Sequence, residues 1–204
     1  MSAPALVDTH CHLDFTVFEA DRAEVVERAK EAGVVRIINP GIDLPTSEFA
    51  VNLASRFVEV YAAVGVHPNE VLSVGEFREE SFTTLLEDEK VVAIGEIGLD
   101  YYWQTTPAEL QRRTFAAQLE LAAQRGLPVI VHNRDAIQDV LSMLRDWQSD
   151  WRKNYPDLSK HAGVLHSFSG TIEEAEQAVD MGFLIGITGP VTYKKAFRLQ
   201  HLVT

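Results

Sequence analysis

Apolar, β-branched segments recur along the whole chain and alternate with segments of helical spacing. The apolar segments cover residues 5–13, 34–41, 60–68, 91–100, 127–133, 162–168 and 183–190. Between them, apolar residues three or four positions apart predict helices, as at 21–33, 107–126 and 171–182. Nearly continuous apolar strands joined by helices are typical of a parallel sheet covered by helices. The pattern therefore predicts an α/β fold with seven strands.

The position of the polar residues separates an open doubly wound sheet from a closed barrel. Chemically versatile side chains lie towards the C-terminal ends of five of the predicted strands: His10, His12, His67, Glu96, Asp100, His132 and His166. An open parallel sheet concentrates its ligands at one crevice, whereas a barrel gathers residues from many strand ends on one face. We therefore predict a TIM-like (β/α) barrel.

Length and composition fit one domain. The 204 residues are 46% hydrophobic, and no Pro-, Gly- or Ser-rich linker or repeat divides them. We predict a single barrel domain over residues 1–204. The one cysteine, Cys11, cannot form an internal disulfide. With no apolar run of about 18 residues and no basic leader before an apolar core, we expect a cytoplasmic protein without a membrane partner.

Acidic residues outnumber basic ones, and the net charge is −12. This argues against a broad basic face that binds long nucleic acid by counterion release, so a phosphate-bearing substrate would be held locally. The densest acidic run, residues 76–90, carries Phe77, Phe82, Leu85 and Leu86 among its charges. It predicts an amphipathic helix with a solvated acidic face.

The first strand raises the question of a metal site. His10 and His12 are two positions apart, so within a strand both face the barrel interior while Cys11 faces the helices. Cys11 is therefore predicted to be a packing residue rather than a ligand. The histidine pair alone is also explained by hydrogen bonding at a strand end.

Three further residues favour a metal site over simple hydrogen bonding between the two histidines. Glu96 lies inside an apolar strand, where an ionised carboxylate is costly unless it is paired or bound to metal. His132 and His166 lie at the ends of two further strands. Four histidines and a glutamate on one barrel rim predict a divalent metal site with nitrogen and oxygen ligands.

The motifs DTHCHLD, GVHPNE, GEIGLDYYW, LPVIVHNRDA and HSFSG follow one another in this order. Together they resemble the TatD family of metal-dependent deoxyribonucleases, within the amidohydrolase superfamily, over about residues 5–195. The resemblance implies a TIM-like barrel with two divalent metal ions, zinc, manganese or magnesium. In the implied ligand set one ion is held by His10 and His12, the other by His132 and His166, and Glu96 bridges both.

Substrate contacts are expected on the same rim. Arg134 can present a guanidinium fork to a phosphate, or form a salt bridge with an acidic neighbour. His67 is the other candidate contact, although Asn69 stands where the family commonly has a second histidine. The aromatic residues at 101–103 can stack a terminal base or pack as a loop on the rim.

The sequence departs from the family at its C-terminal side. In the family an eighth strand carries an aspartate, in a motif resembling ETD-x-P, that ligates the first metal and orients or deprotonates the attacking water. No such motif occurs here, so the catalytic residue stays unassigned and the expected aspartate lies beyond Thr204. We expect a C-terminally truncated barrel with seven strands, two unpaired sheet edges and uncertain activity.

The leading functional prediction is a deoxyribonuclease, an exonuclease that trims single-stranded DNA ends with water activated on two metal ions. A second reading keeps the barrel and the metals but changes the substrate to another ester or amide, such as an aminoacyl-tRNA linkage. A third is an inactive binding module. The expected partners are DNA ends or a small phosphoester or ester, with no stable protein partner.

Overall fold

The computed structural model describes residues 5–75, 77–154 and 160–203, and of residues 150–154 only the backbone. The strands are β1 (Leu6–Asp8), β2 (Val34–Pro40), β3 (Val60–Val64), β4 (Val91–Asp100), β5 (Val129–Arg134), β6 (Gly163–Leu165) and β7 (Phe183–Ile185). The helices are α1 (Arg22–Glu31), α2 (Leu44–Arg56), α3 (Val71–Val74), α4 (Ala108–Arg125), α5 (Ile137–Asn154), α6 (Ile172–Asp180) and α7 (Phe197–Leu202).

All seven strands belong to one parallel sheet in which each strand pairs with the next along the chain. The sheet curves into a seven-stranded half-barrel of the TIM type, which confirms the predicted fold class. Within the described residues β1 and β7 are the sheet edges and do not pair with each other. A cleft of about 660 Å³ separates them, lined by apolar side chains that include Leu6, Val7 and Leu184.

Both faces of the sheet are buried at the central strands β3 and β4, as expected for parallel strands under helices, whereas the edge strand β1 is exposed. Alternate residues of β3 divide between two cores: Val60 and Val64 face the helices, whereas Ala63 packs inside the barrel. Its neighbours inside the barrel are Ala93 and Ile130. The sheet therefore has an apolar barrel interior below the rim that carries the polar residues.

The predicted apolar segments are longer than the observed strands, most clearly at β1, β3, β6 and β7, and His67 lies three residues beyond the end of β3. β1, β6 and β7 are only three residues each, so His10 and His12 lie in the loop after β1 rather than in the strand. The chain turns out of the ladder after Asp8, whose side chain accepts the backbone N–H of His10 at 3.1 Å. The alternation argument for a shared strand face is therefore wrong, although the two imidazoles still converge.

The predicted amphipathic helix in the acidic segment is also wrong. Among its described residues, 77–90, the chain forms two short 3₁₀ turns, Glu79–Phe82 and Leu85–Glu87; Glu76 lies outside the described residues. Phe82 is buried, and the other three apolar side chains pack against the core from half-buried positions. Because these four apolar side chains all contact the core, the segment folds into tight turns before β4 and not into a continuous helix.

Within the described parts of the chain, no helix combines the length and the apolar character that crossing a bilayer requires.

Helix α4 fastens the ends of two strands with buried glutamines. Gln111 accepts the backbone N–H of Asp100 and donates to its carbonyl oxygen, both at 2.8 Å, at the end of β4. Gln118 does the same for Val66, with distances of 2.7 and 3.0 Å. Because these backbone groups are buried beyond the sheet ladder, the glutamines supply the hydrogen bonds that the sheet cannot.

Replacing Gln111 with leucine should destabilise the fold. The Gln111→Leu variant leaves the buried N–H and C=O of Asp100 without partners, so we expect the free energy of unfolding to fall by about 2–4 kcal/mol. Denaturant titration measures this loss. The control is Gln124→Leu, at an exposed position of the same helix, which should change stability by less than about 0.5 kcal/mol. Equal effects in both variants would contradict the backbone role of Gln111.

Candidate metal centre

The carboxylate of Glu96 lies at the centre of the rim and is 3% exposed. The pairing of β4 with β5 shifts register between Ile94 and Ile97, at the position of Glu96. The backbone N–H of Glu96 donates instead to the carbonyl oxygen of Gly41 at 2.8 Å. Such irregularities re-aim a side chain, and here they accompany a carboxylate directed at the strand ends.

The two oxygens of Glu96 face two different pairs of histidines. Oε2 lies 3.3 Å from His10 Nε2 and 3.4 Å from His12 Nε2. Oε1 lies 3.0 Å from His132 Nδ1 and 2.6 Å from His166 Nε2. The four imidazoles predicted as metal ligands therefore meet at one carboxylate, which is the arrangement that a bridging ligand requires.

Within each pair the imidazole nitrogens are close to each other. His10 Nε2 and His12 Nε2 are 3.1 Å apart, and His132 Nδ1 and His166 Nε2 are 3.2 Å apart. Ligands at bond lengths of about 2.0–2.1 Å around a tetrahedral ion are separated by about 3.3 Å. The two sets of donors therefore match the spacing of ligands around a metal ion, and the rings of His10 and His166 stack at 3.8 Å to join the sets.

The chemistry of the donors also fits a divalent cation. Burial alone would raise the pKa of Glu96, but hydrogen bonds from the four surrounding histidines outweigh it and hold the pKa well below its usual range. Burial lowers the pKa of His166 despite the opposing Glu96. An ionised carboxylate beside a neutral imidazole is the state in which both residues bind metal.

A second carboxylate supports His12. Asp14 Oδ1 lies 3.4 Å from His12 Nδ1, and the buried Asn39 donates to the same oxygen at 3.0 Å. Burial lowers the pKa of His12, but Asp14 and Glu96 outweigh this effect and raise it to about 9. Asp14 thus lies near the ring on the side opposite the Glu96 contact, where outer carboxylates stand behind metal-bound histidines, and a metal ion at His12 would displace the proton of the ring.

A third carboxylate supports His132 in the same way. Asp100 Oδ2 lies 3.1 Å from His132 Nε2, and Asn69 Nδ2 donates to the same oxygen at 3.1 Å. Thr105 in turn donates to Asn69 Oδ1 at 2.9 Å. The chain of contacts runs from the surface to the ring that faces Glu96, so Asn69 here serves to position Asp100.

His67 also reaches the cluster, since its Nε2 lies 3.6 Å from Glu96 Oε1. With Glu96 and His132 it forms a second group of residues close enough to hold a metal ion. However, His67 Nδ1 accepts the backbone N–H of Asn69 at 3.1 Å, and burial lowers the pKa of the ring to about 4. A neutral ring with this bond carries its proton on Nε2, which makes His67 a hydrogen-bond donor towards the site.

Cys11 lies between the two histidines of the first loop but away from the cluster. Its side chain is half-buried and packs against the apolar core. Burial, with smaller effects from Asp8 and Asp14, raises the pKa of the thiol to about 11. A protonated thiol in this environment is a packing group, in line with the sequence interpretation.

Arg134 lies at the end of β5 and is exposed. Its guanidinium lies over the ring of Tyr102, 3.8 Å from the centroid, and 5.3 Å from the centroid of Trp103. The salt bridge considered from the sequence is not formed among the described residues. Tyr101 turns the other way, and its hydroxyl donates to Asp139 at 2.6 Å.

Sequence reasoning missed the supporting roles of Asp14 and Asp100. Both carboxylates stand in the quoted motifs, and Asp100 was recognised as a residue at a strand end, but no partner could be assigned to either. The available signal was spacing, because Asp14 follows His12 by two residues and Asp100 follows Glu96 by four. Asn39 gave no signal at all, since its contact with Asp14 crosses between separate elements.

A half-barrel with a histidine and carboxylate cluster at its C-terminal rim is suited to a metal-dependent hydrolase. The profile of the family described as TatD related DNase matches residues 7–204. The chain therefore belongs to the TatD family. It is 37% identical over 198 residues to an uncharacterized metal-dependent hydrolase, YabD, of Bacillus subtilis, covering 97% of this chain and 74% of the relative.

Other relatives carry a functional name or a solved structure. A protein of Klebsiella pneumoniae named 3'-5' ssDNA/RNA exonuclease TatD is 37% identical over 200 residues, which cover 97% of this chain and 72% of that protein. The crystal structure of YjjV, a TatD homologue from Escherichia coli, superposes with a TM-score of 0.84 at 34% identity. That match covers 97% of this chain and 73% of YjjV.

Loss of the Asp100 carboxylate should weaken metal binding without removing a ligand. In Asp100→Asn the negative charge behind His132 disappears, so we expect metal affinity to fall by about 10- to 100-fold. Calorimetric titration of metal-free protein with Zn²⁺ or Mn²⁺ measures this change. The control is Asp139→Asn, which loses a carboxylate bound to Tyr101 but not to a histidine. Unchanged affinity in Asp100→Asn would contradict the supporting role.

Proposed function

We propose that this hydrolase is a nuclease that cleaves phosphodiester bonds at single-stranded nucleic acid ends, with DNA as the leading substrate. The observation that carries the proposal is the division of the Glu96 carboxylate between two histidine pairs. Hydrolysis of a phosphodiester develops negative charge on both the attacking and the leaving oxygen, and two neighbouring cations can stabilise both charges. The name of the Klebsiella pneumoniae relative supports the same substrate class.

In the proposed centre His10, His12 and Glu96 would hold one divalent ion, and Glu96, His132 and His166 would hold the other. When bound, the metals supply an activated water and polarise the phosphoryl group. The contribution of the protein is to fix the five ligands by burial and by the carboxylates behind His12 and His132.

Two further side chains are proposed to hold the substrate. The Nε2 proton of His67 is directed towards the Glu96 oxygen that also faces His132, so it can donate to a phosphate oxygen there. Arg134, two residues after His132, brings a permanent positive charge to this side of the rim. Because the protein has a net charge of −12, such local contacts suit the end of a nucleic acid strand better than a long nucleic acid segment.

The proposal is tested with end-labelled single-stranded DNA and RNA oligonucleotides and added Zn²⁺, Mn²⁺ or Mg²⁺. We expect stepwise shortening from one end, its loss in EDTA, and metal in the protein by elemental analysis. Glu96→Gln should reduce cleavage by about 100-fold or more, because the ligand shared by both ions loses its charge. The exposed Glu109, replaced in Glu109→Gln, provides the matched control.

Aminoacyl ester and amide substrates are assayed in parallel. Cleavage of these with no cleavage of oligonucleotides would replace the nuclease by a hydrolase of another ester or amide. Metal binding without turnover of any substrate would favour a binding module.

Replacement of His67 tests whether this residue donates a hydrogen bond to the substrate or binds a metal ion. The His67→Ala variant should keep its metal content, since Nδ1 is occupied by the backbone of Asn69 and Nε2 carries the proton. Its kcat/KM on oligonucleotides should fall by about 10- to 100-fold, the cost of one charged hydrogen bond. Elemental analysis and steady-state kinetics provide the two readouts. A loss of one metal equivalent would instead identify His67 as a ligand.

A further inference from the structure

An exposed surface of two aromatic rings and one guanidinium lies beside the metal centre. Tyr102 and Trp103 are 50% and 58% exposed, and their rings stand nearly perpendicular with centroids 4.9 Å apart. Arg134 lies over both rings. We call these three residues the aromatic–arginine surface. Two adjacent aromatic rings and a guanidinium left this open offer flat surfaces and a positive charge to a ligand.

The surface is attached to the metal centre through one carboxylate. Asp100 Oδ1 accepts the backbone N–H groups of Tyr102 and Trp103 at 3.0 and 3.1 Å, while Oδ2 contacts His132 at 3.1 Å. Asp100 is 1% exposed, so these hydrogen bonds are shielded from water. The backbone that carries Tyr102 and Trp103 is therefore hydrogen-bonded to the carboxylate that contacts His132, which places the aromatic–arginine surface on the His132 side of the rim.

We propose that the aromatic–arginine surface is a stacking subsite for a nucleobase of a single-stranded end, an inference that rests on the proposed nuclease function. A base offers a flat π-face to the parts of the Tyr102 and Trp103 rings that Arg134 leaves exposed, and this stacking tolerates any base. Arg134 adds a positive charge for the adjoining phosphate and a second flat group. In a duplex the faces of the bases are already stacked on their neighbours, so the subsite favours unpaired ends.

The test measures binding in EDTA, where no metal-dependent cleavage occurs. The full chain is titrated against a fluorescently labelled single-stranded oligonucleotide, and against copies with an abasic site at each of the three terminal nucleotides. We expect one abasic position to raise Kd by about 5- to 100-fold, the value of stacking one base. In the variant with Tyr102→Ala and Trp103→Ala, intact and abasic oligonucleotides should bind equally weakly.

Two further variants separate stacking from loss of folding. Trp103→Phe keeps a flat ring and should retain most of the preference for the intact oligonucleotide. Phe197→Ala removes an aromatic side chain that is 70% exposed on α7 and should leave Kd unchanged. Circular dichroism confirms that each variant is folded.

The outcomes separate the subsite from the nuclease. Equal Kd values for intact and abasic oligonucleotides in the parent protein, or no binding, would overturn the subsite even if DNA is cleaved. A base preference that depends on Tyr102 and Trp103, without cleavage when metals are added, would support the subsite while the nuclease proposal fails.

Discussion

The buried carboxylate of Glu96 is the constraint on which the arrangement of the rim depends. An ionised carboxylate at 3% exposure is strongly unfavourable unless its charge is compensated. The compensating imidazoles come from the ends of three different strands, so no local segment can supply them. The parallel sheet brings these strand ends to one face. The buried charge of Glu96 is therefore stabilised only when the sheet has assembled.

The rim is held by contacts one step behind the imidazoles. Asp14 and Asp100 each contact the far nitrogen of one histidine, on opposite sides of Glu96. The backbone of Asp100 is in turn fixed by two hydrogen bonds with the side chain of Gln111 on α4. Histidines oriented in this way already have the ring angle and tautomer that a metal ion requires. A flexible imidazole would have to be ordered on metal binding, at a cost in conformational entropy.

The charges around the centre are compatible with a substrate that is bound at its end. The chain as a whole is acidic, and the positive charge of Arg134 stands beside exposed aromatic rings rather than in a broad basic face. In the proposed binding mode, affinity for a nucleic acid end would come from stacking and from few phosphate contacts. It would therefore depend less on salt concentration than binding along a broad basic groove.

The sequence by itself determined the seven strands, their parallel arrangement and the convergence of His10, His12, Glu96, His132 and His166, because strand order and apolar pattern are local properties and parallel strands end on one face. It misjudged the short edge strands and the turns before β4, where neighbouring elements override local propensity. Only the tertiary structure decided that each Glu96 oxygen faces its own histidine pair, that Asp14 and Asp100 stand behind them, and that Arg134 lies on Tyr102. These contacts join residues from separate strands and loops, and their geometry depends on how the whole sheet curves.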